Sequence, residues 1–236
     1  MHTAIVTGGT KGIGYGIAQA ILEAGGKVMI TGRDAAGVAD AVIRLGAHVS
    51  DAGTVMGRAV DVRQRAAVDE LVADTVKAFG SVNTLINNAG VGLFTQVEET
   101  TDEDWARVID TNLTGVFYCS RAAIPVMRQA GGGWIINIAS LAGRNYFANA
   151  SAYCASKAGL VAFSEALMLE VRTDNIRVSV VMPGSVATEF MGPSGKQEDE
   201  SWKLTPGDIA EVVMDLLRHP SRSLPSKVEI RPARTK

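Results

Sequence analysis

Thr7-Gly8-Gly9-Thr10-Lys11-Gly12-Ile13-Gly14 follows the short apolar stretch Ala4–Thr7 and opens the helical pattern Ile13–Ala24. Glycine at 8, 12 and 14 lets the backbone turn tightly between a strand and a helix. The helix beyond would aim unpaired N–H groups and a positive dipole end at an anion such as a pyrophosphate. The spacing is GxxxGxG rather than GxGxxG, and a plain turn would also use these glycines. Its place at the start of a βαβ unit favours the phosphate reading. Gly8, Thr10, Lys11, Gly12, Ile13 and Gly14 are therefore candidate cofactor positions.

Beyond this loop, strand-length apolar runs alternate with helix-length segments. Ala4–Thr7, Lys27–Thr31, Thr54–Val60, Thr84–Asn87, Trp134–Ala139, Arg177–Met182 and Lys227–Ile230 read as strands. Several are nearly continuous in Val, Ile and Leu, as strands covered on both faces should be. Ile13–Ala24, Ala35–Leu45, Gln64–Phe79, Glu103–Gln129, Ala152–Thr173 and Pro206–Arg218 read as helices. Alternating β and α predicts a doubly wound, mostly parallel α/β sheet of seven strands flanked by helices, with right-handed crossovers. Gly131-Gly132-Gly133 is too short for a linker and ends a helix before the strand at Trp134. With no linker, repeat or low-complexity tract, residues 1–236 are expected to form one domain. Residues 189–205 form a short substrate loop in this reading, and the polar patch Ser194–Ser201 reads equally as a surface loop.

Net charge is −2 and neither half carries a basic block, so nucleic acid and anionic membranes are not expected partners. Cys119 and Cys154 fall in no metal-ligand spacing, and His2, His48 and His219 are scattered, so no metal is expected. No charged-then-apolar leader opens the chain, and no run reaches the roughly 18 apolar residues a membrane span needs. A reducing cytoplasm is the expected location.

The end of the second strand, Ile30-Thr31-Gly32-Arg33-Asp34, should select the nucleotide. An acid there would bind the ribose 2′-OH of NAD, and an arginine the 2′-phosphate of NADP. Arg33, helped by Lys11, favours NADP(H). Arg33 as a solvated surface charge, and NAD(H) as the cofactor, stay open. Asp34 is the dissenting acid, although it stands where the next helix needs a cap.

Tyr153 and Lys157 stand four apart on a helical segment and so project from one face. Reducing a carbonyl needs a proton donor, and a nearby ammonium favours the phenolate and makes the phenol a stronger acid. Of the four tyrosines, only Tyr153 has a lysine at this offset. A fortuitous surface pair remains the alternative. Ser140 ends the strand Trp134–Ala139, where a hydroxyl could bind a substrate oxygen or merely cap a turn. Asn112, a mediocre helix former inside Glu103–Gln129, reads as catalytic or as a satisfied backbone partner. Asn87-Asn88-Ala89-Gly90 closes the fourth strand with residues small enough for a cofactor to approach.

Taken together, TGGTKGIG at 7–14, Asp61-Val62, NNAG at 87–90, Asn112, Ser140, YCASK at 153–157 and PGSVAT at 183–188 resemble the single-domain branch of the short-chain dehydrogenase/reductase family. The likeness spans nearly the whole chain and implies a Rossmann-type domain and an NADP(H)-dependent oxidoreductase interconverting a carbonyl and an alcohol. It implies that Tyr153 is acid in reduction and base in oxidation, and that Lys157 binds the nicotinamide ribose and shifts the tyrosine pKa. Ser140 would orient the substrate carbonyl and Asn112 would hold a relay water. Asp61 and Val62 would sit by the adenine, Asn88, Ala89 and Gly90 would line the cofactor, and Pro183, Gly184, Val186 and Thr188 would flank its nicotinamide and phosphates. A non-catalytic dinucleotide-binding regulator is the competing class, and an intact Asn112, Ser140, Tyr153 and Lys157 argue against it.

The sequence looks most like reductases of 3-oxoacyl carrier-protein type. It departs from them in the tail Val228-Glu229-Ile230-Arg231-Pro232, which lacks their glycine-rich finish, and in the brevity of 189–205. Both point toward smaller oxo- or hydroxy-compounds. Phe94, Asn145, Tyr146, Phe147, Phe190 and Met191 are candidate pocket residues or ordinary packing. Ala158 to Leu169 carries one charge, Glu165, so the helix should be covered on a second side. A second subunit, as the resemblance implies, makes a homodimer or homotetramer; neighbours within one chain are the alternative.

Overall fold

The computed structural model describes residues 1–49, 54–188, 190 and 200–234. Its sheet has seven strands, β1 (Thr3–Val6), β2 (Lys27–Gly32), β3 (Val55–Ala59), β4 (Thr84–Asn87), β5 (Gly133–Ile138), β6 (Ile176–Pro183) and β7 (Lys227–Ile230). All pair in parallel in the order β3-β2-β1-β4-β5-β6-β7. The helices are α1 (Gly12–Glu23), α2 (Ala35–Gly46), α3 (Arg65–Phe79), α4 (Asp102–Ile109), α5 (Gly115–Gln129), α6 (Ser151–Val171) and α7 (Pro206–Arg218). This is the expected doubly wound Rossmann architecture. None of these helices is long and apolar enough to cross a membrane.

The continuous apolar strands divide their residues by parity, because successive side chains point to opposite faces. Ala4, Val6, Val28, Ile30, Trp134, Ile136 and Ile138 pack with α1, α2 and α7. Ile5, Met29, Leu85, Ile135 and Val178 pack on the other face with α3, α5 and α6. Local chemistry sets the helix ends. Asp34 caps α2, accepting from Gly37 N at 2.6 Å. Thr205 and Asp208 form a reciprocal capping box around Pro206 at the start of α7.

One expected element is corrected. Glu103–Gln129 is not a single helix: α4 and α5 are separated by a π-helical turn, Asp110–Thr114. The cause lies outside the segment. The buried Asn112 carboxamide pairs with the backbone of Val91, accepting from its N at 2.8 Å and donating to its O at 2.9 Å. That pairing holds the turn wide, and such π-bulges recur at functional sites.

The chain order reverses between β1 and β4, since β1 continues through α1 to β2 on one side while β4 leads to β5 on the other. A crevice opens at the carboxyl ends of the strands at this switch point, where ligands of open α/β sheets bind.

Candidate active site

The crevice is a cleft of about 1270 Å³, larger than the roughly 300–1,000 Å³ of a single small-ligand pocket. It therefore has room for a dinucleotide and a second molecule. Gly8, Thr10, Lys11, Gly12 and Ile13 line one end, with Arg33, Asp61 and Val62. Asn88, Ala89, Gly90, Ser140, Tyr153, Lys157, Pro183, Gly184, Val186 and Thr188 line the remainder.

The glycine loop is held from below. Asn88 Nδ2 donates to Thr7 O at 3.1 Å and Gly8 O at 3.0 Å, and Thr7 Oγ1 accepts from the N–H groups of Asn88 and Ala89. Gly14 packs into this support instead of facing the cleft: a Cβ there would lie 2.3 Å from Gly8 O. No side chain caps α1 and its first turn holds no acid, so its leading N–H groups are free of competing carboxylates. Beside it, Thr31 Oγ1 is buried, lines the cleft and has no hydrogen-bond partner. Sequence reasoning missed both threonines, since hydroxyls at strand ends are too common to single out.

At the end of β2 Arg33 and Asp34 both line the cleft, and Asp34 also caps α2 through one carboxylate oxygen. Asp61 is gripped by Arg63 through both carboxylate oxygens, at 3.0 and 2.6 Å. That hydrogen bonding, with a smaller contribution from the nearby Arg33 charge, holds its carboxyl below the usual carboxylate range.

Tyr153 and Lys157 project from α6 into the sheet end, leaving 8% and 5% of each residue exposed. Lys157 Nζ donates to Ile138 O at 3.0 Å and stands 5.8 Å from the Tyr153 ring centroid. Burial pulls the lysine down to about 8, leaving it mostly protonated at neutral pH. The expected acidification of the phenol is not what the protein alone produces. Burial pushes Tyr153 above its ordinary value, and the nearby Ser140 hydroxyl works the other way. Ser140 lines the cleft, and its Oγ accepts from Ala142 N at 3.1 Å and caps the short turn Leu141–Gly143.

Asn112 lies behind the cleft wall. Besides its two bonds to Val91, Nδ2 donates to Ser156 Oγ at 3.0 Å, so both amide hydrogens are used. Ser156 in turn donates to Tyr153 O at 2.8 Å, linking the π turn to the turn of α6 that carries the tyrosine. Its position three after Tyr153, on the buried side of the helix, was the only signal available.

The proposed pocket residues divide. Phe94, Phe147 and Phe190 line the cleft, with Phe94 and Phe190 centroids 5.6 and 5.9 Å from that of Tyr153. Asn145 lines it too. Tyr146 instead borders a separate hollow beside Gln96, Asn149 and Cys154. Met191 and most of 189–205 lie outside the described residues.

A family model described as short chain dehydrogenase matches residues 2–199, and the chain belongs to that family of oxidoreductases. It is 35% identical over 233 residues to an uncharacterized oxidoreductase of Staphylococcus saprophyticus, covering 97% of this chain and 96% of the other. An alcohol dehydrogenase from the archaeon Thermococcus sibiricus, complexed with 5-hydroxy-NADP, superposes with a TM-score of 0.89 at 26% identity, covering 99% and 97% of the two chains. A 3-ketoacyl-(acyl-carrier-protein) reductase from Brucella melitensis, complexed with NADH, gives 0.87 at 29% identity, covering 98% and 96%.

Proposed function

We infer that this oxidoreductase interconverts a carbonyl and an alcohol, using NADP(H), with Tyr153 giving the proton in reduction and taking it in oxidation. The observation that carries this reading is the sharing of one cleft by Ser140, Tyr153, Lys157 and the uncapped start of α1.

The cleft suits a dinucleotide. The free N–H groups of α1 match a pyrophosphate, and the orphaned Thr31 hydroxyl and the Arg33 guanidinium sit where the adenosine half would lie. Asp34 is tied to the α2 cap through one oxygen, and the Arg33 guanidinium, with Lys11 lining the same cleft, favours a 2′-phosphate over a bare ribose. Lys157 would hold the nicotinamide ribose, flanked by Pro183, Gly184, Val186 and Thr188. When bound, the cofactor supplies or accepts the hydride.

The chain handles the proton. Burial keeps the Tyr153 phenol protonated at neutral pH, the form a reductive acid needs, and places it where water competes poorly. Ser140, donating toward the same oxygen, and the protonated Lys157 both favour the phenolate once the proton has left. Asn112 is a positioning residue, fixing Val91 on the cleft wall and, through Ser156, the first turn of α6.

Tyr153→Phe should leave NADPH binding, followed by fluorescence titration, largely unchanged while turnover falls by roughly 10²-fold or more. Near-normal turnover in that variant refutes the assignment, and binding without turnover by the wild type across a broad ketone and aldehyde panel refutes the carbonyl reading itself.

We also propose that the protein self-associates as a dimer or tetramer. Trp105 on α4, Phe117 on α5 and Leu169 on α6 are exposed apolar side chains on neighbouring helices. A monomeric mass by sedimentation at micromolar concentration contradicts this.

A further inference from the structure

The tail that departs from the 3-oxoacyl-reductase pattern brings a cation to the substrate end of the cleft. In the register of β6 with β7, Met182 lies opposite Glu229 and Pro183 opposite Ile230. Gly184 N donates to Ile230 O at 2.8 Å. Arg231 therefore follows β7 at the level of Gly184, and both line the cleft.

The guanidinium is held in place. Arg231 Nη2 donates to Glu229 Oε2 at 2.9 Å, while Arg144 Nη1 donates to Glu229 Oε1 at 2.7 Å. Across the cleft mouth, with the Asn145 carboxamide oriented to satisfy its neighbours, Asn145 Oδ1 accepts from Arg231 Nη2 at 3.0 Å and Nη1 at 3.3 Å. Two arginines share one carboxylate, and those arginines keep Glu229 ionised well below neutral pH. The group thus carries one net positive charge. Glu229 and Asn145 use three of the five guanidinium donors, so Arg231 keeps donors for another acceptor. The same cleft carries aromatic walls, Phe94 with Phe147 at a centroid separation of 6.2 Å, and Phe190 beside Tyr153.

The same cleft thus holds a cation, a proton donor and aromatic faces, and these define a substrate by its chemistry. We propose that Arg231, braced by Glu229 and Asn145, is a specificity residue that binds a carboxylate on the substrate, and that the substrates are ketones, or the matching alcohols, with an aromatic or apolar body between the reacting carbon and that carboxylate. The planar fork of an arginine suits a carboxylate. This rests on the carbonyl–alcohol reading above and names the substrate class of that site.

The test uses aryl ketones supplied both as free acids and as methyl esters: para-acetylbenzoate, beta-benzoylpropionate and longer-spaced homologues. With NADPH, the wild type should favour the acid over its ester by on the order of tenfold in kcat/KM for at least one pair, chiefly through KM. Arg231→Gln should bring that acid-to-ester ratio to within about twofold of unity, and Arg231→Lys should restore part of it. Added salt should shrink the ratio in the wild type and leave it flat in Arg231→Gln. Equal rates on acid and ester in the wild type, or a ratio indifferent to Arg231→Gln, overturn the proposal while leaving carbonyl reduction standing. Thermal shift of the NADP-loaded protein separates the opposite case. A melting-point rise with the acids alone, lost in Arg231→Gln, supports Arg231 even if no ketone turns over; a rise shared equally by esters and acids counts against it.

Discussion

Replacing Lys157 by Met should make the protein more stable while disabling it. Lys157 is buried, and burial pulls its pKa from 10.5 to about 8. That displacement means that holding the ammonium in the folded chain costs about 3 kcal/mol at neutral pH. Methionine is of similar length and carries no charge. It forfeits the bond from Nζ to Ile138 O, worth about 1 kcal/mol, so a net gain of about 2 kcal/mol remains. For a chain of this size that raises the melting temperature by about 4–8 °C. The sign with pH follows from the direction of the shift. Below about 8 both folded and unfolded wild type hold the proton and the cost is full. Between 8 and 10.5 the folded state has released it while the unfolded chain still binds it, so wild-type stability climbs toward that of the variant. Above 10.5 the charge no longer costs anything, and the bond to Ile138 O that the variant lacks leaves the wild type the more stable. Calorimetry of the nucleotide-free proteins across this interval measures the gap directly. A methionine variant less stable than wild type near neutral pH, or a gap that does not narrow as pH rises, would refute the reasoning.

Asn112→Ala removes three hydrogen bonds and leaves the Val91 backbone unpaired, which should cost about 3 kcal/mol and lower the melting temperature by about 6–12 °C. A loss under about 0.5 kcal/mol in denaturant unfolding would mean the carboxamide does not hold the π turn. Arg33→Ala should raise the KM for NADPH by about tenfold while moving that for NADH by less than about twofold. An equal response with both nucleotides would remove the basis for phosphate pairing.

What could be read in advance divides by the range of the interaction. The strands were legible because all but the outer β3 and β7 are apolar runs buried on both faces, and the observed ends lie within one residue of those expected. Asp34 declared the start of α2 through its own side chain. Tyr153 and Lys157 were legible for the same reason, since four residues of helix place both in the cleft. The failures lie where a residue's role is set by a distant partner. Nothing near Asn112 marks a π turn, because the groups that create it belong to Val91, beyond β4, and to Ser156, on α6. Gly14 looked like a phosphate contact until the carboxamide of Asn88, from another strand, was seen to lie beneath it. Tyr146 and Phe147 are adjacent, yet only Phe147 lines the main cleft. The phenol itself shows why proximity in sequence is not enough for electrostatics. Four residues of helix bring an ammonium close, but the burial that brings both groups to the cleft pushes each toward its neutral form. The lysine can therefore favour the phenolate only while its own charge survives, below about pH 8. The same burial that keeps Tyr153 a ready acid thus sets an upper bound, in pH, on the help it receives.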